Sequence, residues 1–213
     1  MKILYQGSPG AYSHLAAKEI YPESKIIACK TFDECFRKAE QDKNVKIIIP
    51  ESNRITGNIG IEYLIFKHRL NIYAEHFHII EHNLLGLPGT NIKDIKNVFS
   101  HAQALSQCSE FIKKNNLNEN VRADTAGSAE LIAKNKIKND AAIASKLSAE
   151  IYKLEIIASN IENEKGNVTR FLIMGKTVSQ PEFKSGKYIT SFLFKLKSKP
   201  AALYQSLGGF AIN

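Results

Sequence analysis

A chain of 213 residues that is 44% hydrophobic has enough apolar material for a real core, as one large domain or two small ones. Its longest apolar runs fall far short of the roughly 20 residues that span a bilayer, and no basic segment followed by an apolar stretch opens it. We therefore expect a cytoplasmic protein with no membrane partner. The net charge of +8 comes from lysines scattered singly or in pairs, without the basic stripe and interleaved aromatics of a nucleic-acid surface, and it suits a positive field that gathers a small anion or, equally, a surface kept soluble by lysine.

Cys29, Cys35 and Cys108 sit in apolar surroundings with no Cys-x-x-Cys pair, which predicts buried thiols rather than disulfides or zinc ligands. Ile3 to Tyr5 reads as a first strand, followed by the turn Gln6 to Ser13 and a helix with Tyr12, Leu15, Ala16 and Ile20 at helical spacing. Gly7 and Gly10 permit a tight turn and bring amides near a ligand at a helix N-terminus. The spacing fits neither a dinucleotide fingerprint nor a P-loop, and a turn without a ligand explains it as well. Lys25 to Ala28 is a second strand. Thr31-Phe32-Asp33-Glu34 opens a helix with capping-box chemistry, its buried stripe at Phe32, Cys35, Phe36 and Ala39. Val45 to Ile49 is a third strand, so strands alternate with helices as in a mostly parallel sheet whose strand ends form ligand clefts.

After Pro50 a polar turn runs from Glu51 to Asn58, then an amphipathic segment through Ile59, Tyr63, Leu64 and Phe66. Asn53 offers a donor and an acceptor at a strand end, and a local turn bond is an equal use for it. Histidines follow at 68, 76, 78 and 82. If residues 72–80 are extended, His76 and His78 share a face, which raises a metal site. No third ligand follows at catalytic-zinc spacing, so the reading is a long strand leaving a first lobe, with no metal and no cofactor. Leu85 to Gly89 marks a turn-rich crossing where a second lobe begins.

In that lobe Asn97 to Phe99 is a strand, and Ser100 with Gln103 has the spacing of a helix cap. Leu105, Cys108, Phe111 and Ile112 line the helix, with the amide of Gln107 beside that stripe. Asn120 to Ala123 is a strand before the helix start Asp124 to Ala129, and Ala141 to Ala144 is another before Ser145. Three helix N-termini here would present hydroxyls and amides suited to carboxylates. The chain then passes a polar loop, Asn160 to Gly166, into the apolar run Phe171 to Met174. Thr169 and Arg170 stand at this loop-to-strand junction, a common place for functional groups.

Six segments together resemble the prephenate dehydratase family, in the family's order over residues 1 to 176: Gly7 to Ser13; Pro50 with Asn53 and Gly57; Ser100 to Gln103 with Gln107 and Cys108; Asp124 to Ala129; Ala141 to Ser145; and Asn167-Val168-Thr169-Arg170-Phe171. The resemblance implies decarboxylating dehydration of prephenate to phenylpyruvate, water and carbon dioxide in phenylalanine biosynthesis, with no cofactor. It implies an α/β fold with two lobes of the periplasmic-binding-protein type II kind, lobe 1 at about 1–77 plus 168–178 and lobe 2 at about 83–163, in a domain spanning 1–178. Thr169 would donate to the departing hydroxyl. Asn53, Ser100 and Gln107 would surround the dianionic substrate, with Gly10, Ala11, Ser13, Thr125, Phe171 and Arg170 beside them, the arginine either binding a carboxylate bidentately or forming a structural ion pair. The family also forms homo-oligomers, dimers or tetramers.

Two departures stand out. Where the family has Glu-Asn-Ser, this chain has Ser52-Asn53-Arg54, with its carboxylate one place earlier at Glu51; in an extended segment that shift reverses the face and takes the carboxylate out of the cleft. The tail resembles the opening strand and helix of an ACT-type amino-acid-sensing domain, at 186–213. Being too short to close that sandwich, it predicts a truncated regulatory domain without normal phenylalanine feedback. A competing expectation is a non-enzymatic two-lobed small-anion sensor.

Overall fold

The computed structural model describes residues 1–177 and 194–212, in two compact units, Met1–Gln180 and Pro181–Asn213. The first unit holds two sheets. The first sheet is built from β1 (Lys2–Gln6), β2 (Lys25–Cys29), β3 (Val45–Asn53), β4 (Gly57–Asn58), β5 (Asn71–Ile79) and β11 (Val168–Gly175), in the order β2-β1-β3-β11-β5 with β4 attached to β3. Its helices are α1 (Tyr12–Ile20), α2 (Phe32–Gln41) and α3 (Glu62–His68). The second sheet, ordered β10-β6-β9-β7-β8, comprises β6 (Asn83–Gly86), β7 (Asn97–His101), β8 (Asn118–Arg122), β9 (Asp140–Ala144) and β10 (Glu155–Ala158). It carries α4 (Ala102–Gln107), α5 (Ser109–Lys114), α6 (Thr125–Asn135) and α7 (Lys146–Tyr152). In the second unit α8 spans Ala202–Ile212 and exposes Leu203, Tyr204 and Leu207; the expected opening strand of the ACT-like region lies outside the described residues.

Strand alternation decides which helices cover which face. On one face of the first sheet Ile3, Tyr5, Ile48 and Phe171 pack against Ala16 and Ala17 of α1. On the other, Leu4, Ile47, Ile49, Leu172 and Met174 pack against Cys35 and Phe36 of α2 and Leu64 of α3. The second sheet is sandwiched likewise, with Leu84, Val98 and Ile143 towards α4 and α5 and Leu85, Phe99 and Ala142 towards α6 and α7. All three cysteines are buried free thiols.

Several boundaries differ from the sequence reading. The first sheet is mixed rather than mostly parallel, because β11 returns from the second lobe and pairs antiparallel with both β3 and β5. That pairing also extends β3 through Pro50 to Asn53, where a polar turn was expected, and draws Thr169 and Arg170 inside a strand. Of the amphipathic segment Leu64 is buried as expected, together with His68, whereas Ile59, Tyr63 and Phe66 are exposed. Leu85 and Gly86 belong to β6, and β10 is an element the sequence reading missed. Ser100 is the fourth residue of β7 rather than a cap; α4 is capped by His101, whose Nδ1 accepts from Gln103 N at 3.3 Å.

Candidate active site

Thr169 is paired on both sides within the sheet, facing Asn53 on β3 and His78 on β5. Cross-strand pairs share a face, so these side chains lie on the α1 side with Phe171. Asn53 Nδ2 donates to Thr169 Oγ1 at 2.8 Å, while Asn53 Oδ1 accepts from Ile55 N at 3.0 Å and Thr56 N at 3.1 Å. The turn after β3 thereby locks the amide with its nitrogen towards the threonine. Both uses expected of Asn53, a turn bond and a site contact, are realised by opposite ends of one amide. Thr169 is 6% exposed. Among the described residues its hydroxyl oxygen has this one hydrogen-bond partner, a donor, so the hydroxyl hydrogen is uncommitted.

Arg170 faces the other way. Its Nε donates to Glu75 Oε2 at 2.7 Å and its guanidinium meets Glu51 Oε2 at 3.3 Å, the structural ion pair that stood beside the ligand contact as the second reading of this residue. A β-bulge explains how Glu51 arrives there. The register steps from Arg170 opposite Ser52 to Phe171 opposite Pro50, leaving Glu51 as the extra residue. Ser52 Oγ then donates to Glu51 Oε2 at 2.6 Å. The carboxylate displaced by one place in the sequence thus lies away from Thr169.

Two segments connect the lobes, residues 80–82 and 159–167, and they run side by side: Ile80 N donates to Asn167 O at 2.8 Å and Ile161 N to His82 O at 3.0 Å. A polar chain crosses them. Tyr12 Oη lies 2.8 Å from His82 Nδ1, His82 Nε2 lies 2.8 Å from Gln107 Oε1, and Asn167 Nδ2 donates to the same oxygen at 3.3 Å. Because Gln107 Oε1 only accepts, His82 donates to it from Nε2, and the one Tyr12 hydroxyl hydrogen is shared between His82 Nδ1 and Glu81 O, which also lies 2.8 Å from Tyr12 Oη. Burial holds the His82 pKa below its usual value, opposed by the Gln107 bond and by Glu162, and burial raises Tyr12 well above the ordinary phenol range. A neutral histidine between two neutral partners results.

Gln107 and Asn167 also border a pocket of about 200 Å³ with Ile55, Ser106, Glu162, Asn163 and Glu164. Asn167 Oδ1 is fully buried without a hydrogen-bond partner among the described residues, and an unmatched buried acceptor costs about 1–3 kcal/mol. Gln107, placed by sequence beside an apolar stripe for no packing reason, is explained by this position. Tyr12, His82 and Asn167 were missed as site residues, although all three stood within segments singled out in the sequence; only their convergence across the lobes marks them.

The other expected residues lie at the lobe contact, in the core or at a helix start. Ser100 is fully buried and donates to Ile143 O at 2.6 Å. Gly10 O accepts from Ser145 Oγ at 2.6 Å and Ser148 Oγ at 3.0 Å, and Gly10 N donates to His14 Nδ1 at 3.0 Å. Tyr152 Oη donates to Pro9 O at 2.8 Å. The helix start at Ser145 thus receives a carbonyl of the first lobe rather than a ligand carboxylate. Ala11 N is taken by Ser8 O at 3.0 Å, Ser13 is buried within α1, Thr125 is the first residue of α6 after the cap Asp124, and Phe171, 1% exposed, is core.

The fold and site therefore define a two-lobed α/β protein with a polar seam where its lobes meet and a held threonine hydroxyl on the first sheet. The prephenate dehydratase family model matches residues 3–179, and the chain belongs to this family. It is 36% identical over 214 residues to "Arogenate dehydratase/prephenate dehydratase 2, chloroplastic" of Arabidopsis thaliana, covering 100% of this chain and 56% of that protein. It is 34% identical over 210 residues to the "Bifunctional N-acyl-homoserine lactone acylase/prephenate dehydratase" of Komagataeibacter europaeus, covering 98% of this chain and 75% of that one. The chain spans about half the length of the plant relatives it matches. A crystal structure of prephenate dehydratase in complex with L-Phe from Arthrobacter aurescens has the same fold, with a TM-score of 0.86 at 20% identity, covering 100% of this chain and 72% of that one.

Proposed function

We propose that the chain converts prephenate to phenylpyruvate, water and carbon dioxide, in phenylalanine biosynthesis. The observation that carries this reading is the Asn53–Thr169 pair. Formation of an aromatic ring drives the reaction, so the protein needs to orient the dianion and assist the leaving hydroxide rather than supply a strong base. The electrons of the carbon–carboxylate bond pass into the ring as carbon dioxide leaves. The ring carbon–oxygen bond breaks, and the departing hydroxide takes the Thr169 hydrogen to become water. A threonine alkoxide is too basic to persist. The Asn53 amide eases the developing charge while a relay from solvent restores the proton. Gln107 and Asn167 supply polar contacts at the pocket.

Within this reading residues 1–178 form the dehydratase domain of a cytoplasmic homo-oligomer, and residues 186–213 begin an ACT-like domain. The test is incubation with prephenate near neutral pH, following phenylpyruvate, with Thr169→Val alongside. Formation by the parent chain that collapses in the variant is expected; absence of phenylpyruvate overturns the proposal. A second substrate, arogenate, is favoured by one observation: Glu162 and Glu164 line the pocket, and arogenate bears an ammonium where prephenate bears a ketone. Comparing turnover of the two substrates in Glu164→Gln decides it, since loss confined to arogenate is the expected signature.

A further inference from the structure

We propose that Glu19, His76 and His78 form a binding site for a divalent transition metal of the zinc class. Period-two alternation along β5 puts both imidazoles on the α1 face of the sheet. The second half of α1 brings Glu19 over them: Glu19 Oε2 lies 3.2 Å from His76 Nε2 and 2.9 Å from His78 Nδ1. One ligand atom from each of the three residues falls within 4.8 Å of the other two. Donors at bond lengths of about 2.0–2.2 Å around one zinc ion stand roughly 3–3.5 Å apart, so both carboxylate–imidazole separations already have the scale of a coordination sphere. The third separation lies within the same 4.8 Å bound.

The donor set selects the metal. Two imidazoles and a carboxylate suit zinc, nickel or copper, whereas magnesium and calcium favour oxygen ligands. Exposure is graded as an ion-binding cup requires, since the His78 side chain is 10% exposed, His76 27% and Glu19 42%. The two imidazoles are held by the sheet, and Glu19 is the most exposed of the three. Without metal the same carboxylate serves as hydrogen-bond acceptor to the two rings. The site borders the Tyr12–His82–Gln107 chain, since the rings of His78 and Tyr12 stand 6.4 Å apart between centroids, and His78 stands directly opposite Thr169.

The experiment is calorimetric titration of the untagged, chelator-treated chain with Zn(II), and with Co(II) followed by its visible absorption. Saturable one-to-one binding is expected, with His76→Ala and Glu19→Gln each weakening it by about tenfold or more and His76→Ala/His78→Ala abolishing it. Absence of saturable binding overturns the proposal, as does unchanged affinity in the double variant, which places the ion on other histidines or thiols. Far-UV circular dichroism confirms that each variant is folded. Should the double variant fail to fold, unchanged affinity in His76→Ala, at the more exposed ring, is the overturning result. Because the readout is the metal itself, the outcome is independent of the dehydratase reading.

Discussion

In the first sheet the hydroxyl of Thr169 accepts a hydrogen bond from Asn53 and keeps its own hydrogen, whereas in the second lobe Ser100, Ser145 and Ser148 each donate to a main-chain carbonyl. All four hydroxyls are buried. What separates them is the direction of the bond: a buried hydroxyl that donates to a carbonyl completes the backbone, while one that only accepts retains a hydrogen for chemistry. Burial and residue type, the properties a sequence pattern tracks, do not distinguish these cases.

The largest effect that can break this contrast is at Thr169. Thr169→Val removes the hydrogen and is expected to lower kcat by about 10²–10⁴-fold, with Thr169→Ser retaining part of it; near-full turnover in the valine variant would remove the threonine from the chemistry. Next is the lobe contact. Gly10 has φ +94°, and an added Cβ would stand 2.5 Å from Ser148 Oγ, so Gly10→Ala should destabilise the chain by at least about 1–2 kcal/mol in urea unfolding, from the positive φ alone. A midpoint equal to the parent's would show that the lobes do not close on this loop.

Ser100→Ala sharpens the comparison from the other side. It should cost about 1–2 kcal/mol of stability by leaving Ile143 O unmatched, with the KM for prephenate unchanged. A raised KM would restore Ser100 to the substrate shell. The smallest effect is in pH. Burial holds His14 and His82 below the usual histidine value, with Lys18 assisting at His14. The unfolded chain then binds more protons below about pH 6.5 than the folded one. Stability is fully present above that pH and falls as the pH drops from there towards the lowered folded values. A Tm series from pH 7.5 to 5 should show this decline, weakened in His82→Gln, and a flat series would contradict it.

Much of the architecture was legible because local rules and tertiary structure agree. Thr31 caps α2 by accepting from Glu34 N at 3.1 Å, Asp124 caps α6 and Ser145 caps α7, as turn and capping chemistry dictate. The misreadings cluster where a distant strand intervenes. Glu51 to Asn53 read as a turn and are strand, because β11 supplies the missing edge. For Arg170 both a ligand contact and a structural ion pair were open, and the bulge that brings Glu51 to it gives the ion pair. Glu19, on a helix much earlier in the chain, meets His76 and His78 only through the tertiary structure.

Composition, periodicity and the six ordered segments determined the alternation of strands and helices, the apolar faces and the family. Those are properties of residues a few positions apart, and the covalent chain enforces them. The tertiary structure alone decided which hydroxyl keeps its hydrogen, which glutamate meets which cation and which loop seals the two lobes. Each of those outcomes depends on a hydrogen-bond direction or a strand register between residues far apart in sequence, and only packing sets these.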